Sequence, residues 1–82
     1  VPRSKAKTDI KENLAQKYAG SYSLQKTLLD SHMESYDYLI SLPSNAVNNQ
    51  ILSKRMGSYY PHFSLIKTLY ENDIKSYREL QN

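Results

Sequence analysis

The stretch SYSLQKTLLDSHMESYDYLISLP, residues 21–43, carries the longest apolar face in the sequence. Its apolar side chains recur every three or four residues, which is the spacing of one face of an α-helix. Ser21 or Ser23 can cap the first turn, and Pro43 disfavours helix at the residue before it. We therefore predict a helix over residues 22–41. Its apolar face consists of Leu24, Leu28, Leu29, His32, Met33, Tyr36, Leu39 and Ile40.

A narrower helical pattern precedes this stretch. Ile10, Leu14 and Tyr18 are four residues apart, and Gly20 follows them as a stop signal. This spacing predicts a first helix over residues 8–19. Residues 1–7 hold three basic side chains and no acidic one, so we predict a basic, flexible leader there.

A third helix is predicted over residues 44–56. The pair Ser44–Asn45 provides side-chain oxygens that can accept from free backbone N–H groups in the first turn. Lys54 and Arg55 then lie in the last turn, where cations favour the negative end of the helix dipole. Gly57 is placed just past the helix, the position at which glycine is most common.

Two further helices are predicted in the last third of the chain. Pro61 suits the first position of a helix over 61–71, since its missing N–H costs nothing there. Asn72–Asp73 reads as an interruption, and Ser76–Glu79 has the pattern of a capping box that starts a short helix over 76–82. The fold class is therefore all-α, with four to five short helices that form one small domain over residues 8–82.

Length and composition indicate that this domain associates with another chain. A chain of 82 residues has little interior, and small cores usually need disulfides, a metal or a partner. The sequence has no cysteine, and His32 and His62 lie too far apart for a zinc motif. No cofactor or metal is therefore expected. The eight tyrosines fit either a half-polar core or an interface, because tyrosine is enriched in both settings.

No catalytic motif is present, so we predict that the chain is not an enzyme. The sequence contains no nucleophile elbow, P-loop, dinucleotide fingerprint or HExxH zinc motif. His32 shares a helical face with Tyr36 and is interpreted as a packing residue. No apolar run approaches the length of a membrane span, and the absence of cysteine and of a signal peptide suggests an intracellular setting.

Self-association as a dimer or tetramer is the favoured function, with two alternatives. The predicted oligomer interface lies on the second helix and on aromatic residues near it: Leu28, His32, Tyr36, Leu39, Tyr59 and Phe63. The first alternative is a DNA-binding module of helix-turn-helix type. Its contact residues are predicted to be Lys5, Lys7, Lys54 and Arg55. The second alternative is an adaptor for a short helix of another protein.

The second half of the chain also carries a family resemblance. Four segments, at 42–44, 52–58, 65–69 and 74–80, read LPS, LSKRMGS, LIKTL and IKSYREL. In this order they resemble the C-terminal domain of Rap-interacting factor, the large telomere and replication-timing protein of eukaryotes. The last portion also resembles the C-terminal domain of the bacterial RNA polymerase α subunit. The resemblance covers roughly residues 39–82.

The resemblance implies a biological setting that composition does not give. It implies a homo-oligomerising tail that cross-links the telomeric repressor-activator protein along DNA in the nucleus. Animal members bind structured DNA through this domain, so the resemblance also implies a possible weak contact with DNA. It also implies a turn at Asp73–Ser76. Residues 58–62 are an insertion relative to the animal pattern, and Tyr77–Glu79 replaces a Gly-Asp pair.

Overall fold

The chain forms four α-helices and no strand in a computed structural model that describes all of residues 1–82. Helix α1 spans Arg3–Lys17, α2 Tyr22–Ile40, α3 Ala46–Tyr59 and α4 Phe63–Gln81. The prediction of a small all-α domain is confirmed.

The four helices form two helical hairpins, α1–α2 and α3–α4, which pack through α2 and α4 and lie partly end to end. Helix α1 packs on α2, α3 packs on α4, and α2 packs on α4, while α1 and α3 do not touch. The Ser31 hydroxyl lies 3.2 Å from that of Ser64, and the Lys67 ammonium lies over the ring of Tyr38. Helices α2 and α4 therefore run parallel but offset, so that the second half of α2 lies beside the first half of α4. The offset makes the domain 49 Å long and about 20 Å wide, with sides of 22 and 19 Å.

A small core lies where α1, α2 and the first half of α4 meet. Phe63 is fully buried at its centre, and its ring makes edge-on contacts with the rings of Tyr36 and Tyr60. Helix α3 contributes only partly buried apolar residues to this cluster. The core consists of Ala6, Ile10, Leu14, Met33, Tyr36, Leu39, Phe63, Ile66 and Tyr70.

The predicted flexible leader is wrong, because α1 begins at Arg3. Ala6 is completely buried, so the apolar stripe of α1 starts one turn earlier than the larger side chains suggest. The Arg3 guanidinium binds the Asp37 carboxylate through two hydrogen bonds of 3.0 and 3.1 Å, and the Tyr36 hydroxyl donates to the Val1 carbonyl at 2.5 Å. These contacts attach the first residues of the chain to α2.

The predicted end of α3 is also wrong. Asn45 caps its first turn, since the Asn45 side chain accepts from the Asn48 N–H at 2.9 Å. However, the helix continues through Gly57 and ends at Tyr59. Tyr59 and Tyr60 pack against the core, and this packing favours a helix that extends beyond the glycine.

Helix α4 is continuous where the sequence predicts two helices. No break occurs at Asn72–Asp73, and the capping box at Ser76–Glu79 lies inside the helix. Both carboxylate oxygens of Asp73 accept from Arg55 of α3, at 2.7 and 2.9 Å, while Ile74 packs against the core. These contacts with α3 stabilise helix through a segment whose local sequence favours a turn. Helix α4 begins at Phe63, two residues later than predicted.

The two glycines have opposite roles, and we expect alanine to have opposite effects on stability. Gly20, in the turn between α1 and α2, has φ of +80°, whereas Gly57 lies inside α3, and neither has atoms within 4 Å of an added Cβ. Gly20→Ala should lower the free energy of unfolding by about 1–2 kcal/mol, since L-residues disfavour positive φ. Gly57→Ala should raise it by about 0.5–1 kcal/mol, since alanine favours helix. Urea denaturation measures both, and changes of the same sign would contradict the assignment.

Candidate protein-binding groove

Three of the six predicted interface residues are not on the surface. Tyr36, Leu39 and Phe63 are buried in the core of the single chain, so their prediction as an exposed interface is wrong. These three residues lie on apolar helical faces, and the face of a helix that points into a core has the same sequence pattern as an interface. The partly exposed residues Leu28, His32 and Tyr59 stay predictions, and Leu28 and Tyr59 also pack against the core.

The four basic residues predicted to contact DNA do not form one patch. Lys5 and Lys7 lie on α1, whereas Lys54 and Arg55 lie on α3, which does not touch α1. Lys5 pairs with Asp9 at 2.8 Å. The hydrogen bonds from Arg55 hold the pKa of Asp73 below its ordinary value. Two of the four cations therefore have carboxylate partners within the chain.

A surface groove lies beyond the end of α2, beside the second half of α4. Its volume is about 840 Å³. The end of the groove nearest to α2 is lined by Tyr38, Leu42 and Pro43. One wall is formed by residues 45–48 at the start of α3. The other wall is α4, which contributes Tyr70, Glu71, Ile74, Lys75, Tyr77 and Arg78. We call this feature the terminal groove.

A buried hydrogen-bond network holds the floor of the terminal groove. The Tyr70 hydroxyl donates to the Asn48 side-chain oxygen at 2.7 Å, and the Asn48 amide nitrogen donates to the Pro43 carbonyl at 3.0 Å. Both side chains are at least nine-tenths buried. Burial is the main cause that raises the pKa of Tyr70. The network ties α4, α3 and the loop after α2 together, so the floor is rigid.

The rim of the terminal groove is aromatic and charged. Tyr38 and Tyr77 keep 36% and 39% of their surface exposed, and Leu80, one turn further along α4, keeps 82%. Glu71 and Arg78 are exposed, and neither takes part in any of the four ion pairs of the chain. Aromatic residues with an apolar ring and a polar tip are typical of protein interfaces.

Sequence reasoning missed these groove residues for one reason. The stripe Tyr70, Ile74, Tyr77 has helical spacing, with Glu71 and Arg78 on its flank. The break predicted at residues 72–73 divided this stripe between two helices.

A second, smaller groove of about 390 Å³ lies between α1 and α2. It is lined by Leu14, Ala15, Tyr22, Leu29 and four polar residues.

Two histidines and a lysine meet where α4 begins. The Ser64 N–H donates to Nδ1 of His32 at 3.3 Å, and the Lys17 ammonium donates to Nε2 of His62 at 3.3 Å. Each imidazole must be neutral to accept, and the two rings are 6.1 Å apart. Burial is the main cause that lowers the pKa of His32, and the charges of His62 and Lys17 lower it to a smaller extent. The pKa of His62 is lowered by burial and by the charge of Lys17. The cluster therefore stabilises the fold in its uncharged form.

This cluster predicts a loss of stability in mild acid. Because each folded pKa lies below the unfolded value of about 6.5, the stabilisation is complete above pH 6.5 and declines as pH falls toward the folded pKa. The pKa values of Asp9, Asp37 and Asp73 are lowered from 3.8, so these carboxylates act at lower pH. The melting temperature should fall between pH 7.5 and pH 5. In a variant with glutamine at both histidines it should change less, and an equal decline would contradict the prediction.

Comparison of the chain with protein-family models, curated proteins and solved structures finds no match. The fold and the grooves define the molecule as a small all-α domain with surface grooves of about 840 and 390 Å³. No group of three or more His, Cys, Asp or Glu side chains is placed to hold a metal ion. None of the helices combines the length and apolar character that crossing a membrane requires.

Proposed function

We propose that this chain is a non-enzymatic helical module that binds a second copy of itself, as a dimer or a tetramer. The terminal groove is the observation that carries the proposal. It combines exposed tyrosine and leucine surface with charged side chains that have no partner within the chain. Binding of a second copy would cover the apolar part and pair the charges.

The small core supports the same proposal. Only nine apolar residues of 82 are buried, and α3 contributes none of them. A domain of this size gains a large fraction of its stability from any additional apolar surface that association covers. Self-association would thus stabilise the α3–α4 hairpin, which has the fewest buried side chains.

The resemblance to Rap-interacting factor supports a setting for this activity. In that setting the module would lie at the C-terminus of a telomere-associated scaffold in the nucleus and cross-link copies of the repressor-activator protein bound along DNA. The resembling segments fall in α3, α4 and the loop before α3. The turn implied at Asp73–Ser76 is absent, because α4 continues through it.

Molar mass in solution tests the proposal. Light scattering and sedimentation should give a mass that rises with concentration from 9.5 kDa toward a dimer or a tetramer in the micromolar range. A constant monomer mass at several hundred micromolar would contradict self-association. The adaptor alternative would then take its place, with the same groove as the binding site.

Direct DNA binding is the second candidate function, favoured by one observation. Lys7 and Lys54 are exposed and take part in no ion pair of the chain. If they contact phosphates, affinity for duplex DNA should fall steeply as salt rises, since bound cations release counterions. The dissociation constant of a dimer held by apolar contacts should depend only weakly on salt concentration. A salt titration of both equilibria separates the two functions.

A further inference from the structure

We infer that two copies of the chain pair through the second halves of their α4 helices, antiparallel and with Ile74 at the two-fold axis. Each copy then fills the terminal groove of the other. This inference rests on the proposed function and adds the surface, the orientation and the charge pairs through which the copies recognise each other.

The offset between α2 and α4 creates the site. Over the first half of α4, α2 covers the face that includes Ser64 and Lys67. The same face continues along α4 at Glu71, Ile74 and Arg78, because these positions follow at steps of three and four residues. Helix α2 ends at Ile40, so α2 does not cover this continuation, which forms a wall of the terminal groove and leaves Ile74 only partly buried. A second helix fits where α2 stops.

The charges on this face are complementary to themselves. Glu71 lies three residues before Ile74 and Arg78 four residues after it, on the same side of the helix at 100° per residue. In an antiparallel pair centred on Ile74, Glu71 of one copy therefore lies within about 1.5 Å of the height of Arg78 of the other. Because the dimer is two-fold symmetric, this Glu71–Arg78 ion pair occurs twice. Both ion pairs lie on the same side of the interface.

The apolar residues match on the opposite side. Tyr70 and Tyr77 lie on the other side of Ile74 at similar distances along the helix, so Tyr77 of each copy faces the Tyr70 position of the other. Tyr70 is held by Asn48 and cannot move away. The ring of Tyr77, which is 39% exposed, thereby packs over the groove floor that Tyr70 and Asn48 hold, and an aromatic anchor in a pocket is typical of binding hot spots.

A dimer of standard size needs to cover only a small share of the surface of the chain. A standard interface covers about 800 Å² on each partner, which is about a seventh of the 5541 Å² surface of this chain. The mixed charge of the groove, Glu71 with Lys75 and Arg78, favours a second copy over an acidic peptide, for which a uniformly basic surface would be expected.

Charge reversal tests the pairing. Arg78→Glu and Glu71→Arg each place like charges at both pair positions and should weaken dimerisation by about tenfold or more. The double variant, with both reversals in one chain, restores opposite charges and should return to within about threefold of the wild type. Sedimentation equilibrium measures the dissociation constants. Circular dichroism confirms that each variant keeps its helix content, since both side chains are exposed.

The outcomes distinguish this inference from the proposed function. A wild-type chain that stays monomeric overturns both. A wild-type chain that associates, with single reversals that have no effect or a double variant that is not restored, overturns only the α4 interface and leaves self-association in place.

A cysteine near the two-fold axis gives a test that does not depend on charge energies. The chain has no cysteine, so a single introduced thiol reports one position. Ile74→Cys places the two thiols at the axis, facing each other, and should form a disulfide-linked dimer under mild oxidation. Ser23→Cys is the control, because Ser23 is exposed at the start of α2, away from the groove. Equal cross-linking of the two variants, or none at position 74, overturns the interface.

Discussion

Phe63→Ala is expected to destabilise the protein severely. Phe63 is fully buried between α1, α2 and α4, and its ring contacts those of Tyr36 and Tyr60 at centroid distances of 5.2 and 5.5 Å. Removing a buried phenylalanine costs about 3–5 kcal/mol, since the neighbours fill the cavity only in part. Small native domains are stable by about 5–15 kcal/mol, so this loss removes a large share. Thermal unfolding followed by circular dichroism should show a strongly lowered or absent transition.

Leu65→Ala is the matched control for this prediction. Leu65 lies two residues further along the same helix, but 43% of its surface is exposed. Its truncation should cost less than about 1 kcal/mol. Equal destabilisation by the two substitutions would contradict the assignment of Phe63 to the centre of the core.

Asn48→Ala is expected to have the second largest effect, about 2–4 kcal/mol on the free energy of unfolding. The Asn48 side chain is 6% exposed and bonds both the Tyr70 hydroxyl and the Pro43 carbonyl. Its removal leaves a donor and an acceptor without partners, and each buried unsatisfied group carries a desolvation cost. Urea denaturation of the wild type and the variant measures the difference.

A double-mutant cycle with Tyr70→Phe isolates the network. Tyr70→Phe alone should cost about 1 kcal/mol, because it leaves one amide oxygen unpaired. Combining it with Asn48→Ala removes both ends of the shared hydrogen bond, so the double variant should lose less than the sum of the single losses. Strict additivity would show that the two side chains do not interact in solution.

Local sequence was sufficient to predict helices that end at strong signals. The second helix was predicted over 22–41 and spans Tyr22–Ile40, since its apolar face is long and Pro43 follows it closely. The cap at Asn45 was one of the two residues proposed for that role. Both features depend on side chains within a few residues of the helix end.

Features that depend on distant contacts could not be predicted in this way. Asp73 disfavours helix by itself, but its hydrogen bonds with Arg55 of α3 hold it inside α4. Ala6 carries too small a side chain to mark an apolar stripe, yet it is completely buried. The terminal groove exists only because α2 stops halfway along α4, and no local pattern encodes that offset.

The linear order of helix contacts has a consequence for how the domain opens. Helix α1 packs along α2 and α3 along α4, and the two hairpins meet where α2 and α4 run side by side. Side chains of the loop before α4 add two contacts with α1, from Tyr60 to Asp9 and between Lys17 and His62. Either hairpin can separate from the other by breaking this seam and these two contacts while keeping its own internal packing. Amide protons at the seam should exchange through that partial opening before the whole chain unfolds. The domain then behaves as two cooperative units whose coupling is set by the α2–α4 seam and the two loop contacts with α1.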